Sequence, residues 1–395
     1  MNGSTWLIAA GAALAACLAA GCGGPAAPHA GAAAGPGGAA TVGPPRRSWR
    51  LVPLAAASSQ RPPAPDLAAY FRRGVDARVD APAGQPVWIA LRLPAGPEAA
   101  LLTFEPLGGK GRLTVEASDD SSDGRDGTWQ PLAEREAVPD DGVLQKCEFP
   151  PRGRPRWVRL TLAPAEDPPK PLALRDLGLY TLDPGGANDY WVSTGASIQR
   201  QSVRHTALKA LVRARFGYDP VMFNTAVPGW TTADLRRELP RILADHPHAR
   251  YVTIHIGGNN VSQKRPWPGG ADALRDDLVA ILTMVRDTSK VPILARLSYR
   301  AYKGEKPVPP EENGSGPYLA AIHDPLIREY CPAFYDEAAA RGVVDPYTWF
   351  RDHPDELAGD GIHVNPKGEA SWNRLWAEQA GPIVYGAAEG LPGKE

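Results

Sequence analysis

The chain has 395 residues, 43% of them hydrophobic, and 43 Lys and Arg against 44 Asp and Glu give a formal net charge of −1. That apolar content suffices for a packed core and excludes global disorder, while near-zero charge argues against nucleic acid as a main partner, since phosphate binding needs a basic surface. The length fits two ordinary domains plus tails, and much of the excess of 41 Gly and 42 Pro sits in the first 65 residues, where it marks linkers.

The N-terminus carries a short apolar stretch, Leu7 to Leu18, ending in small residues and a cysteine. It falls short of the roughly 18 apolar residues of a membrane span and reads as a secretory signal over residues 1–22. Residues 23–46 are Ala/Gly/Pro-rich and bury too little apolar surface to order themselves, so they read as a disordered tether. Beyond the signal only Cys147 and Cys331 remain. They are too few for a disulfide framework or a zinc site and lack CxxC spacing; inert buried thiols are expected.

From 47 to 183 the hydrophobic pattern has period two: Val87, Ile89, Leu91 and Leu93; Leu113, Val115 and Ala117; Val158, Leu160 and Leu162; then the run Leu172 to Leu182. Turn clusters such as Asp119 to Gly124 separate these runs, and no long helical pattern intervenes, which predicts an all-β sandwich. The pattern, with Trp129 between strands, resembles a galactose-binding-like jelly roll.

From 184 to 390 strands and helices alternate. Strands are predicted at Tyr190–Ser193, Val221–Asn224, Tyr251–Ile256, Ile293–Leu297 and Gly342–Asp345. Leu274, Leu278, Ile281, Leu282 and Val285 form one apolar helix face, and Thr231 or Thr232 caps a helix through Leu235 and Leu239. This alternation predicts a three-layer α/β domain around a parallel sheet, with the chemistry at the carboxyl ends of the strands.

Four segments follow those strand ends: Ser193-Thr194-Gly195-Ala196-Ser197, Asn224 to Trp230, Gly257-Gly258-Asn259-Asn260, and Asp360-Gly361-Ile362-His363. Acyl transfer needs a nucleophile, a base, an orienter for the base and donors for the oxyanion. Ser197, His363 and Asp360 fit the first three roles. The N–H groups of Ser197 and Gly229 and the amide of Asn259 fit the last. These blocks, in this order, resemble those of the SGNH (GDSL-type) serine hydrolases: Ser197, Gly229, Asn259 and His363 match the four letters, and Asp360 the acid of the DxxH block. The resemblance implies a flavodoxin-like hydrolase domain and no metal or organic cofactor. The sequence departs from the family pattern at Ala196 and Asn260, where aspartates are usual, and at Val364, where proline is usual. None of the three moves a proton in this chemistry. The stretch Leu18 to Cys22 resembles a bacterial lipobox, which implies lipidation of Cys22 and a membrane-anchored envelope protein, although Ala19 stands where leucine is usual and the n-region has no Lys or Arg.

Other residues carry blander readings. GASIQ is not GxSxG, so an α/β-hydrolase elbow is not indicated. His255 sits inside a strand and is expected to be packed. His246 and His248 are placed in a polar loop. His323 and Asp324 are structural or substrate-side. Trp230 and Trp267 are candidates for stacking on a sugar face, and the Pro/Gly-rich stretch Tyr299 to Tyr318 for a lid or binding loop. The expectation is an exported esterase acting on a carbohydrate ester, by analogy with similar two-domain members that deacetylate polysaccharides. The alternatives are a lipid esterase or acyltransferase, and a carbohydrate-binding lipoprotein whose hydrolase domain has decayed.

Overall fold

Period-two alternation does build strands, and they pair antiparallel in two sheets. A computed structural model describes residues 48–51, 57–59, 79–93, 100–138, 143–149, 156–183, 190–203, 205–218, 220–261, 270–303, 306–307 and 315–386, all within one compact unit, Ala39–Glu395. The secretory signal, Cys22, the 23–46 tether and Trp267 lie outside these residues.

The first sheet holds β1 (Ser48–Leu51), β3 (Val79–Ala81), β5 (Ala100–Gly108), β8 (Gln145–Phe149) and β10 (Leu172–Asp183). The second runs in the order β2 (Ala57–Ser59), β4 (Val87–Arg92), β9 (Trp157–Pro164), β6 (Gly111–Ser118), β7 (Gln130–Ala137). One apolar core lies between them, and the alternating residues read from the sequence (Ile89 and Leu91, Leu113 and Val115, Leu160 and Leu162) meet Leu102 and Phe104 there. Successive side chains on a strand point to opposite faces. Leu101 accordingly leaves that core for the one that continues into the C-terminal half.

In that half, strands β11 (Tyr190–Gly195), β12 (Val221–Asn224), β13 (Tyr251–His255) and β14 (Val291–Leu294) pair in parallel in the order β12-β11-β13-β14. All but Val291 are buried, as continuous apolar runs in a doubly covered sheet require. Helices α1 (Ser197–Ser202) and α2 (His205–Phe216) share a layer with a later helix, α7 (Pro366–Leu375). Helix α3 (Thr232–Asp245) packs on α4 (Gly270–Asp287). The apolar face of α4 is the one expected: Leu274, Leu278, Ile281, Leu282 and Val285 are each 1% exposed or less, worth about 1.5–3 kcal/mol apiece. Thr231 caps α3 through a capping box with Asp234.

The fifth expected strand, Gly342–Asp345, departs from expectation. Arg341–Gly342 instead forms a two-residue antiparallel ladder with Tyr335–Asp336, and only Val344 reaches the sheet, its carbonyl accepting from Arg296 N. The segment is diverted because Asp345 caps the next helix, α6 (Pro346–Asp352), and takes the Arg296 guanidinium at 2.8 Å. Helices α5 (Asp324–Tyr330), α7 (Pro366–Leu375) and α8 (Gly381–Tyr385) complete the half.

Polar contacts join the two halves beside the shared apolar core. His205 Nε2 lies 2.9 Å from Asp176, His248 Nε2 lies 2.8 Å from Glu148, Lys209 donates to the Tyr180 hydroxyl at 2.6 Å, and Lys146 donates to the Asp245 carbonyl. Cys147 and Cys331 are buried and unpaired, and burial pushes the Cys331 thiol up to about 12, which removes thiolate reactivity.

Candidate active site

The carboxyl ends of the four parallel strands carry three of the four segments. Gly195 ends β11 at φ +148°, and a Cβ there would sit 2.0 Å from the His255 carbonyl, so only glycine lets β11 and β13 run this close before the turn into α1. Ser197 is the first residue of α1, where an N–H has no intrahelical acceptor. The helix is held from behind. Asn224 donates to the Gln199 and Val203 carbonyls at 2.9 and 3.0 Å, and Asn373 donates to Ser202 O at 2.8 Å. Gln199 in turn donates to Ser193 Oγ and accepts from Trp372 Nε1. Ser193 is thus buried and committed, and Ser197 is the half-buried serine that faces outward.

His363 Nε2 lies 2.8 Å from Ser197 Oγ, and His363 Nδ1 lies 2.5 Å from Asp360 Oδ2. With the Nδ1 proton donated to the carboxylate, Nε2 is left to accept the serine proton. Asp360 Oδ1 also accepts from the Ile362 and His363 amides at 2.9 and 3.0 Å. Partial burial pushes this carboxyl up, but those three hydrogen bonds outweigh it and hold Asp360 below the usual carboxylate range. The pair is not sealed from water: the Asp360 and His363 side chains are 48% and 31% exposed. Asp360→Asn should therefore lower kcat by about 10–100-fold with little change in KM, well short of the ~10⁴-fold loss at a buried triad acid. Steady-state kinetics on any chromogenic ester checks this, and a change confined to KM would assign Asp360 to substrate binding.

The donor segments follow the neighbouring strands β12 and β13. Val227 N donates to Gly195 O at 3.1 Å and Thr225 N to Ser193 O at 2.7 Å, which zips the 224–230 loop to the end of β11. Gly229 lies exposed at φ +83° on that loop. Asn259 Nδ2 donates to the Trp230 carbonyl at 2.8 Å, and among the described residues nothing takes its second amide proton. The Trp230 ring is half-buried against the core.

The departures from the family pattern have local explanations. Asn260 Oδ1 accepts from Thr232 N, while its Nδ2 donates to Thr232 Oγ1, and that hydroxyl donates onward to Asp277. An aspartate at 260 would have to compete with Asp277 for one hydroxyl proton, so the amide is the better partner. Val364 bridges to Leu357, and Asn365 caps α7 by accepting from Gly368 N. Among the described residues nothing replaces a carboxylate at Ala196, whose helix start has no side-chain cap.

The histidine expectations divide. His255 is buried, with Nε2 3.1 Å from Ser298 Oγ and its ring edge-on to Trp372, and His323 is fully buried. Asp324 forms a buried ion pair with Arg296. His246 corrects the polar-loop reading: it is 7% exposed, hydrogen-bonded to the Tyr190 hydroxyl and packed on Phe223. Its partners come from β11 and β12, too far away in sequence to be seen.

Residues 185–370 match the model of the GDSL-like Lipase/Acylhydrolase family. That segment is similar to the GDSL-like acylhydrolases. The protein is accordingly a hydrolase acting on ester bonds. No curated protein matches the chain. Solved structures similar to it include TesA (18% identity, 50% of this chain and 100% of that one, TM-score 0.37). A catalytic mutant of Axe2, an acetylxylan esterase from Geobacillus stearothermophilus, covers 50% of this chain and 96% of its own at 16% identity and TM-score 0.39. A Bacillus subtilis protein covers 82% and 90% at 14% identity and TM-score 0.42.

Proposed function

We propose that this GDSL-like hydrolase cleaves carboxylic esters on carbohydrate, O-acetyl groups first, with Ser197 as nucleophile and His363 as general base. The observation that carries the reading is the unbroken chain Ser197 Oγ, His363 Nε2, His363 Nδ1, Asp360 Oδ2. Ser197 attacks the ester carbonyl while His363 takes its proton. The imidazolium, held by Asp360, returns that proton to the leaving alcohol, and water then repeats the sequence on the acyl-enzyme. The negative oxygen is met by the N–H groups of Ser197 and Gly229 and by the free proton of the Asn259 amide.

The carbohydrate part of the reading is supported by the strand-rich half ahead of the hydrolase, an arrangement similar to polysaccharide deacetylases, and by Trp230 beside the donor loop. Turnover of acetylated xylo-oligosaccharides should exceed that of long-chain acyl esters. The reverse order would turn the reading to a lipid esterase. Asn259→Ala should lower kcat by about 10²–10³-fold, and near-normal turnover in a folded variant would remove Asn259 from the site.

A further inference from the structure

We propose that Arg300 is a positioning residue for Asn259, clamping the central peptide of the oxyanion turn, which no other hydrogen bond among the described residues holds; this rests on the reading of Asn259 as an oxyanion donor. Gly257 to Asn260 form a tight turn closed by Asn260 N and Val261 N, which both donate to Gly257 O, at 3.0 and 3.2 Å. Those bonds fix the ends of the turn. The central peptide, Gly258 C=O with Asn259 N–H, takes part in neither, and rotation of such a peptide is the soft motion of a β-turn. With glycines at 257 and 258 the steric resistance is low. Rotation there changes φ at Asn259 and re-aims its side chain.

The Arg300 guanidinium donates to the Gly258 carbonyl and so opposes that rotation. The approach is close: a Cβ on Gly258 would come within 3.1 Å of Nη2, so a side chain there would press on the guanidinium. The base of the arginine is itself fixed on two sides. Ser298 Oγ lies 3.1 Å from His255 Nε2 at the end of β13, and Ala301 N donates to Gly361 O at 2.9 Å, inside the loop that carries His363. Residues 298–301 therefore stitch the Asn259 turn to the His363 loop, and Arg300 sets the place of the oxyanion donor relative to the base. A guanidinium suits this role because it keeps its charge and its planar fork when part-buried.

The test is a double-mutant cycle on kcat. Arg300→Met, which keeps the stem and loses the donors, should lower kcat by about 10–100-fold, the scale of a small misplacement of a reacting group, with KM within about twofold. In the Asn259→Ala background the same change should cost less than about threefold, because the group being positioned is gone. Arg300→Lys carries the same cycle with a smaller loss, and decides the matter if the Met variant does not fold. An Arg300 loss that persists at full size without Asn259, or that falls only on KM, overturns the proposal while leaving the oxyanion reading intact. Full turnover in Asn259→Ala alone would overturn both.

Discussion

Ser197→Ala should lower kcat on any ester by at least about 10⁴-fold and change KM little. The size follows from the role. The hydroxyl forms the covalent intermediate, so its loss leaves only turnover by water assisted by the donor groups, a residual of about 10³–10⁴ over the uncatalysed reaction in serine hydrolases whose nucleophile has been removed. Folding should be untouched, because α1 is held by Asn224, Asn373 and Gln199 and not by the Ser197 hydroxyl. Ser193 does not substitute: it is buried and its hydroxyl accepts from Gln199. Equal thermal unfolding of both proteins and an undiminished rate in the variant would together remove Ser197 from the chemistry.

The second large effect is loss of stability in acid. Burial holds His246 and His255 down to about 3 and His323 to about 4, helped at His246 by Lys146 and Lys290, at His255 by His323 and Arg300, and at His323 by Arg296. In the unfolded chain each titrates near 6.5. Above that value both states are neutral and stability is unaffected. Below it the unfolded chain binds protons that the folded protein excludes, so stability falls with pH at about 1.4 kcal/mol per unit for each histidine until the folded values are reached. At pH 4.5 the three together remove about 8 kcal/mol, comparable with the whole stability of a typical domain. Denaturant unfolding at pH 7 and 4.5 checks the sum, and His246→Phe should flatten the slope by about one histidine's share. Equal midpoints at the two pH values would show that these rings accept protons in the folded state.

Much of this arrangement was legible because it depends on near neighbours. Alternation at Leu113, Val115 and Ala117 needs only the period of a strand, and the α4 face from Leu274 to Val285 only that of a helix. Three of the four segments follow strands of the parallel sheet, and all four were readable by the residue types that acyl transfer needs. What holds those segments was not legible. Asn224 reaches the carbonyls of α1 from about 20 residues away, and Asn373 and Trp372 from about 170. Arg300 bonds a backbone carbonyl, which leaves no pairing signature in side-chain chemistry. His246 looked solvated because its neighbours in sequence are polar, whereas its pocket is made by Tyr190 and Phe223. Gly342 to Asp345 looked like a strand because nothing nearby shows that Asp345 will be claimed by Arg296.

The central claim, that Ser197 is made nucleophilic by His363, is tested most directly by covalent labelling with a fluorophosphonate and mapping of the adduct by mass spectrometry. The account predicts one equivalent of label on the peptide containing Ser197, lost in Ser197→Ala and slowed by orders of magnitude in His363→Ala. Label on another serine, or full-rate labelling of Ser197 without His363, would contradict it.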